Sequence, residues 1–538
     1  MIRPTARLEE LQACARPAAI ACRPDELGTA RQTRHSFSRA LARYLADNGG
    51  KVTRRVWELD AEGRGTAVYR VEVADHVLEA VIFSQVIDEQ TRTDRVIAED
   101  WDATIALVDG EASFEVIDGL SGHVTKQEDG RAEDTSLIWG RANRSERFFN
   151  YVAARLASGR QPEVDAVSDA AYIMRSTAFY GNGKWGLRDF DGIEESHPLS
   201  MPYRAQMLCA WLFREFSADL VEHVAAARGS AAVPLDPAWR RYLGLGNATG
   251  LGMVPYVIRH PQVMDAWVAM RELPLASAMQ QTWAADSAQW ERVRSLLARA
   301  QQYFAAKESF STDPYPSGPE LAAELEMAVQ WAREYVQTRA MAGVSTSEPG
   351  ARLHELAAQV SLELRQVVDS VLVEVDSSLD ADIAALMRCV DRTQLQPQMS
   401  VQELRALIDE HYAWALSIDF ALAAETAKFW FYSENNQEPR RGERGKDKGE
   451  ITEHPVGIAR DVSALRASLA DVDPTMTVGE FLIAHNEHWG IVERVQSVVD
   501  LPYAEARVNP LAADFLPLDL QRFQLACYGM ENYNPQST

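Results

Sequence analysis

The hydrophobic pattern of this chain changes its period once, and that change limits the folds open to it. Between Val52 and Val108, apolar and polar residues alternate in runs separated by turn residues such as those of 61–65. A period of two is typical of strands with one buried face, so these runs predict an antiparallel meander of about four strands covered by a helix. From Ser136 onward, apolar residues recur with helical spacing. Together the two patterns predict an α+β fold, with an N-terminal antiparallel β-meander and a helix, followed by a large, mainly α-helical body.

The length of the chain, 538 residues, exceeds what one hydrophobic core usually supports. We predict an α+β domain over 1–135, a helical domain with glycine-rich loops over 136–310, and a C-terminal helical domain over 311–538. The last of these contains a highly charged loop at 437–450 without an apolar anchor. This loop is either solvated or a lid over a pocket.

The charge balance restricts the classes of partner. A formal net charge of -24 disfavours binding to the phosphates of nucleic acid, which requires a concentrated positive surface. The most basic part is N-terminal, and we interpret it as a solvated helix face and its loop, with an anionic partner as the alternative. Its residues are Arg31, Arg34, Arg39, Arg43, Arg54 and Arg55.

Cysteine usage and hydropathy predict the compartment. The five cysteines are scattered and never form a Cys-x-x-Cys pair, which argues against a disulfide scaffold and fits a reducing environment. The longest uncharged stretch, 242–258, is interrupted by glycines, an asparagine and a proline, so it does not predict a membrane span. We therefore predict a cytoplasmic protein that binds neither nucleic acid nor membrane; a homo-oligomer is left open.

The stretch 172–253 is the best candidate for a binding site. Glycines that free the backbone alternate there with polar and cationic residues inside apolar segments, as in the wall of a pocket. Its cations, in an acidic protein, predict a small anionic partner with a carboxylate, phosphate or sulfonate group. The alternative is that these cations form structural salt bridges with the acids of 189–195. The predicted binding residues are Arg175, Ser176, Asn182, Lys184, Arg188, Arg204, Asn247, Thr249 and Gly250.

Two glycine clusters in this stretch resemble nucleotide loops only in part. Gly181-Asn-Gly-Lys-Trp-Gly186 matches G-x-G-x-x-G, but turn residues follow where a dinucleotide site needs a helix. In the second cluster, 244–252, a helix starting near Thr249 would expose free amides to an anion. The alternative is a capped helix whose glycines permit close packing. No cofactor is required by either cluster, and no metal-binding motif with a full ligand set is present.

Several side chains are candidates for proton transfer. Asp219 and His223 lie one helical turn apart, which suits a carboxylate that orients an imidazole. Tyrosines beside cationic groups are credible bases, and aromatic and acidic residues near 432 end a helix just before the charged loop. The candidates are Tyr180, Tyr203, His223, Tyr432 and Glu434.

These features predict an enzyme acting on a small anionic substrate by acid–base chemistry, of lyase or isomerase type. One alternative is a non-catalytic helical assembly or ligand-sensing protein that uses the same polar cluster as structural glue. Another is an oxidoreductase that binds a nucleotide cofactor at a glycine-rich loop.

Overall fold

The architecture is taken from a computed structural model of the full chain. The structure describes residues 6–21, 23–87, 101–123, 136–145, 148–167, 172–181, 194, 196–201, 203–246, 261–284, 286–306, 317–342, 348–388, 397–417, 419, 456–488, 492 and 526.

A single sheet organises the N-terminal half of the described chain. Its neighbours run in sequence order, antiparallel from β1 to β6, and β7 pairs with β6 in parallel. The strands are β1 (Lys51–Leu59), β2 (Gly65–Val73), β3 (His76–Ser84), β4 (Ala103–Asp109), β5 (Ser136–Arg144), β6 (Tyr172–Gly181) and β7 (Gly244–Gly246). The predicted meander is confirmed in β1 to β4, and the α+β class is confirmed for the chain.

The sheet extends across residue 135, into the segment predicted to be helical. In β5, the first seven residues are buried, so the strand has no alternation between a buried and an exposed face over that length. A short apolar run that is buried on both faces cannot be distinguished from a helix by its period. The helical pattern predicted from Ser136 onward therefore corresponds to a helix only from Phe149, after β5 has ended.

The helices of the described chain cover both faces of the sheet and continue as a separate helical body. They are α1 (Ala6–Cys14), α2 (Ala18–Ala21), α3 (Pro24–Gly28), α4 (Phe37–Asp47), α5 (Phe114–His123), α6 (Phe149–Ala157), α7 (Val164–Val167), α8 (Arg204–Arg228), α9 (Pro237–Tyr242), α10 (Pro261–Gln280), α11 (Ala288–Ala306), α12 (Gly318–Ala342), α13 (Pro349–Val360), α14 (Leu362–Val375), α15 (Asp380–Arg388), α16 (Val401–His411), α17 (Ala413–Leu416), α18 (Val456–Ser468) and α19 (Val478–Ala484).

The two faces of the sheet pack against different helices. The long helix α8 lies against the inner face, where Ile82 and Ile105 share a core with Phe213 and Leu220. The shorter helix α5 packs on the outer face, in a core that contains Trp139. The sheet is thus buried on both sides over much of its area, which explains the scarcity of alternation beyond β4.

The helical body has its own hydrophobic core. Trp290, Leu325 and Leu364 belong to this core, which is built from α10 to α14. Helices α13 and α14 are separated by Ser361, whose backbone is extended and whose hydroxyl accepts a hydrogen bond from the amide of Leu364. A side-chain cap of this kind begins a new helix without a proline or glycine.

Within the described residues, no helix combines the length and the apolar composition needed to cross a bilayer.

Candidate functional site

Many of the predicted site residues lie outside the described residues. The roles predicted for them stay predictions, as does the choice between a lid and a solvated loop for 437–450. They are Asn182, Lys184, Arg188, Asn247, Thr249, Gly250, Tyr432, Glu434 and the side chain of Tyr180.

Tyr203 and Arg204 are placed at the start of α8. Tyr203 precedes the helix with a positive φ of 56° and is buried with its ring 5.0 Å from that of Phe37. The guanidinium of Arg204 donates to the carbonyl of Pro198 at 2.8 Å and lies 4.3 Å from the ring centre of Tyr44. Both side chains therefore have protein contacts that fix the start of α8 against α4.

His223 has protein partners on both ring nitrogens. Its Nδ1 accepts a hydrogen bond from the indole of Trp57 at 3.2 Å, and its Nε2 lies 2.7 Å from the carbonyl oxygen of Asp60. This combination holds the imidazole in the neutral form with the proton on Nε2. No ring atom is left to exchange a proton with a substrate unless one of these bonds opens.

Asp219 does not orient His223. Its carboxylate accepts hydrogen bonds from the hydroxyl of Tyr69 at 2.7 Å and from Arg240 at 2.7 Å, and Arg54 lies 3.2 Å away. Arg240 also binds Glu215 and Glu222, so one guanidinium serves three acids of α8. This cluster connects α8, α9 and the sheet through groups that satisfy one another.

Arg175 and Ser176 are consecutive in β6 and point to opposite faces of the sheet, so they cannot contact one small ligand together. Ser176 pairs with Ala142, whose side chain belongs to the core under α8, and this places Ser176 on the inner face. Arg175 pairs with Asn143 and belongs to the outer face. Its neighbour on the other side is Gly246 in β7, so the first three residues of the predicted 244–252 loop form a strand.

The outer face carries a polar group of residues beside Arg175 that the sequence did not reveal. Thr104 pairs with Arg141 across β4 and β5, two residues along β5 from the Asn143–Arg175 pair. The guanidinium of Arg141 lies 4.6 Å from the ring centre of Trp101, which precedes β4. We call Trp101, Thr104, Arg141 and Arg175 the outer-face cluster.

Two hydrogen-bond donors of the outer-face cluster are buried without a partner. The indole Nε1 of Trp101 and the hydroxyl of Thr104 have no hydrogen bond to the described residues, although these residues are only 2% and 3% exposed. Arg175 is half-buried and forms no ion pair with another described residue. A buried polar group without a partner costs about 1–3 kcal/mol, so a hydrogen-bond acceptor at this place would stabilise the fold.

The buried carboxylate next to the outer-face cluster is already satisfied. Asp102 accepts hydrogen bonds from the backbone amides of Ile87 at 3.3 Å and Arg144 at 2.8 Å. It thereby joins the ends of β3 and β5. Its charge is held by backbone dipoles, and the donors of Trp101 and Thr104 are not used for it.

A second polar concentration lies in the helical body, on α14. Four polar residues, Glu363, Gln366, Asp369 and Ser370, are buried in this otherwise apolar helix. They meet charged side chains from the N-terminal segment and from α10. The sequence analysis missed this network, and the signal that could have revealed it is a row of polar positions at helical spacing among apolar ones.

The N-terminal arginines bind this helical body. Arg31 forms an ion pair with Glu363, and Arg34 binds Asp380 at 2.8 Å as well as backbone carbonyls at the end of α14. The interpretation of these two arginines as a solvated face or as a site for an anionic partner is therefore wrong. Their partners are acids more than 300 positions away in the same chain.

Asp369 is the centre of the α14 network. Its side chain is fully buried, with Oδ1 2.6 Å from Nδ1 of His354 and Oδ2 3.5 Å from a guanidinium nitrogen of Arg16. Burial alone would raise the pKa of Asp369, but the hydrogen bond from His354 and the charges of His354, Arg16 and Arg271 outweigh it and lower the pKa below its usual value. The carboxylate is therefore ionised in the folded protein.

Among the described residues, no group of three or more His, Cys, Asp or Glu side chains is arranged to hold a metal ion. Comparison with known proteins finds no matching family model, no matching curated protein and no matching solved structure.

Proposed function

We propose that this protein binds a small anion with a carboxylate, phosphate or sulfonate group at the outer-face cluster. The observation that supports the proposal is the pair of buried, unpartnered donors of Trp101 and Thr104 on the face that also carries Arg141 and Arg175. An anion accepts several hydrogen bonds at once and complements the positive charge of the arginines. A water molecule would satisfy the donors but would leave the charge of Arg175 unmatched.

Conversion of this anion by acid–base chemistry, as in a lyase or isomerase, is the enzymatic form of the proposal. It is supported by the sequence of 172–253 and depends on side chains outside the described residues. The scattered cysteines support a cytoplasmic location, because two of them, Cys14 and Cys209, are free thiols.

Binding can be measured by isothermal titration calorimetry with inorganic phosphate, sulfate and a series of small dicarboxylates. The informative variant is Thr104→Val, which removes one hydroxyl and keeps the shape of the side chain. Loss of a hydrogen bond to an anion should weaken binding about tenfold or more. Because the hydroxyl has no partner, the same variant without ligand should be at least as stable as the wild type.

Matched controls separate this site from general charge effects. Thr66→Val makes the same change on the same face two strands away, because Thr66 pairs with Phe83 and Phe83 pairs with Thr104. Arg299→Gln, at an exposed position of α11, is the control for Arg175→Gln. The proposal fails if no probe binds at millimolar concentration, or if Thr104→Val and Arg175→Gln bind as their controls do.

A further inference from the structure

His354 and Asp369 form a histidine–carboxylate pair of the kind that transfers protons in catalytic sites. The Asp369 carboxylate is ionised and can only accept hydrogen bonds, so the short contact of 2.6 Å requires that Nδ1 of His354 carries the proton. In the neutral imidazole, the lone pair is then on Nε2. The network of bonds around Asp369 therefore determines the tautomer of His354.

The free nitrogen of His354 is accessible. The side chain of His354 is 18% exposed, and its Nε2 forms no hydrogen bond to another described residue. His223 differs in this respect, because both of its ring nitrogens have protein partners. A carboxylate that is completely buried behind an imidazole with an accessible Nε2 is the arrangement that prepares a histidine to act as a general base.

The surroundings keep Asp369 charged and fixed. Arg16 approaches its second oxygen and also binds Glu272 on α10 through two bonds of 2.7 Å. Arg271 is fully buried and donates to Gln366 at 2.7 Å, and Glu26 binds Arg365 and Gln366. The charges around the dyad are thus three arginines against Glu26, Glu272 and Asp369.

We propose that His354 and Asp369 form a proton-transfer pair that acts on the hydroxyl of water or of a small alcohol brought to α13. In this step the electron pair of the breaking O–H bond forms a bond to the carbonyl carbon of an ester, and the proton forms a bond to Nε2 of His354. The same proton then passes to the alkoxide that leaves as the ester C–O bond breaks. Asp369 is a positioning residue that holds Nδ1–H and stabilises the imidazolium. The pair does not depend on anion binding at the outer-face cluster, so either proposal can fail alone.

The tautomer is tested by nitrogen-15 NMR of the full-length protein labelled at histidine. The expected spectrum has one neutral histidine protonated on Nδ1, with a strongly deshielded Nδ1–H signal that is lost in His354→Gln. In Asp369→Asn, the amide can donate to Nδ1, so the proton should move to Nε2. A wild-type spectrum with the proton of His354 on Nε2 would overturn the proposal, and this measurement does not depend on whether Asp369→Asn folds.

Reactivity is tested with 4-nitrophenyl acetate, whose hydrolysis is accelerated by an unprotonated imidazole nitrogen. His354→Gln should remove most of the hydrolysis above that of free histidine, and Asp369→Asn should reduce it about tenfold or more. The control is His485→Gln, because His485 is more exposed and its Nδ1 lies 3.5 Å from the exposed carboxylate of Glu487. Equal rates for the wild type and His354→Gln would show that the dyad serves packing alone.

Discussion

Replacement of Glu79 by glutamine tests how the outer face of the sheet is held together. Glu79 is on β3 with a fully buried side chain, and its carboxylate accepts bonds of 2.7 Å from Arg55, 2.7 Å from Arg70 and 2.8 Å from the amide of Ala112. One side chain thus joins β1, β2, β3 and the segment that leads into α5. Glutamine preserves the size of the side chain and removes its charge.

The expected loss follows from these contacts. A glutamine keeps one acceptor oxygen, but its NH₂ group replaces the second one and cannot accept hydrogen bonds from the donors there. About half of the hydrogen bonds to Glu79 are therefore lost. Hydrogen bonds to charged groups contribute about 1.5–3 kcal/mol each. The side chains of Arg55 and Arg70 are 28% and 21% exposed, so water can compensate for part of the loss. We therefore expect Glu79→Gln to lower the free energy of unfolding by about 3 kcal/mol.

The measurement is hydrogen exchange of the β2 to β4 amides, because a chain with two cores need not unfold in a single step. Glu111→Gln is the matched control: Glu111 binds the same Arg70 at 2.9 Å but is 63% exposed. An exposed ion pair contributes only about 0–1 kcal/mol. If the two variants differ by less than about 0.5 kcal/mol, the buried carboxylate does not hold the sheet and the reasoning is refuted.

Two further changes test the backbone and the pH response. At Gly65, φ is +138° and an added Cβ would lie 1.9 Å from the carbonyl oxygen of Glu58, so Gly65→Ala should destabilise the protein by about 3 kcal/mol or more, measured by urea unfolding; Gly110→Ala, also at positive φ but in open space, should cost about 1 kcal/mol. Burial, together with the charge of Arg34, lowers the pKa of His35 to about 4 from an ordinary value of 6.5. The unfolded chain therefore binds the proton first, stability is fully present above pH 6.5, and it should fall by about 1.4 kcal/mol per pH unit toward pH 4. His35→Gln should flatten this fall, and an unchanged slope would mean that His35 is protonated in the folded protein.

The sequence predicted β1 to β4 from alternation and from the turn residues between the strands. In β2, buried and half-buried positions alternate from Tyr69 to Val73, and the period of two is visible there. In β5, burial of both faces removed the signal, and the pattern was assigned to a helix. The short strand β7 has three residues and takes its identity from its parallel pairing with β6. Such a short strand is defined by its pairing with a neighbouring strand, and the local sequence pattern gives no information on that pairing.

The outer-face cluster could not be predicted from the local sequence for a different reason. Trp101, Thr104, Arg141 and Arg175 come from three strands and one connection, and only the register brings them to the same face. Between β5 and β6 the register shifts at Arg141/Ala142. A shift by one residue exchanges the two faces of a strand, so the relation of Arg175 to Arg141 depends on an irregularity with no sequence signature.

Most of the arginines discussed above are paired with acids of the same chain. Positive charge in an acidic protein was taken as the sign of a ligand, yet Arg16, Arg31, Arg34 and Arg240 bind carboxylates of the same chain. An excess of acids makes such internal pairs easy to form, so an arginine in this composition indicates a carboxylate of the chain before it indicates a ligand. What distinguishes Arg175 is its place on a face where two buried donors lack acceptors. The buried donors of Trp101 and Thr104, which have no acceptor among the described residues, therefore support the anion site more strongly than the positive charge of the arginines does. For this reason Thr104→Val tests the proposal more directly than any arginine variant.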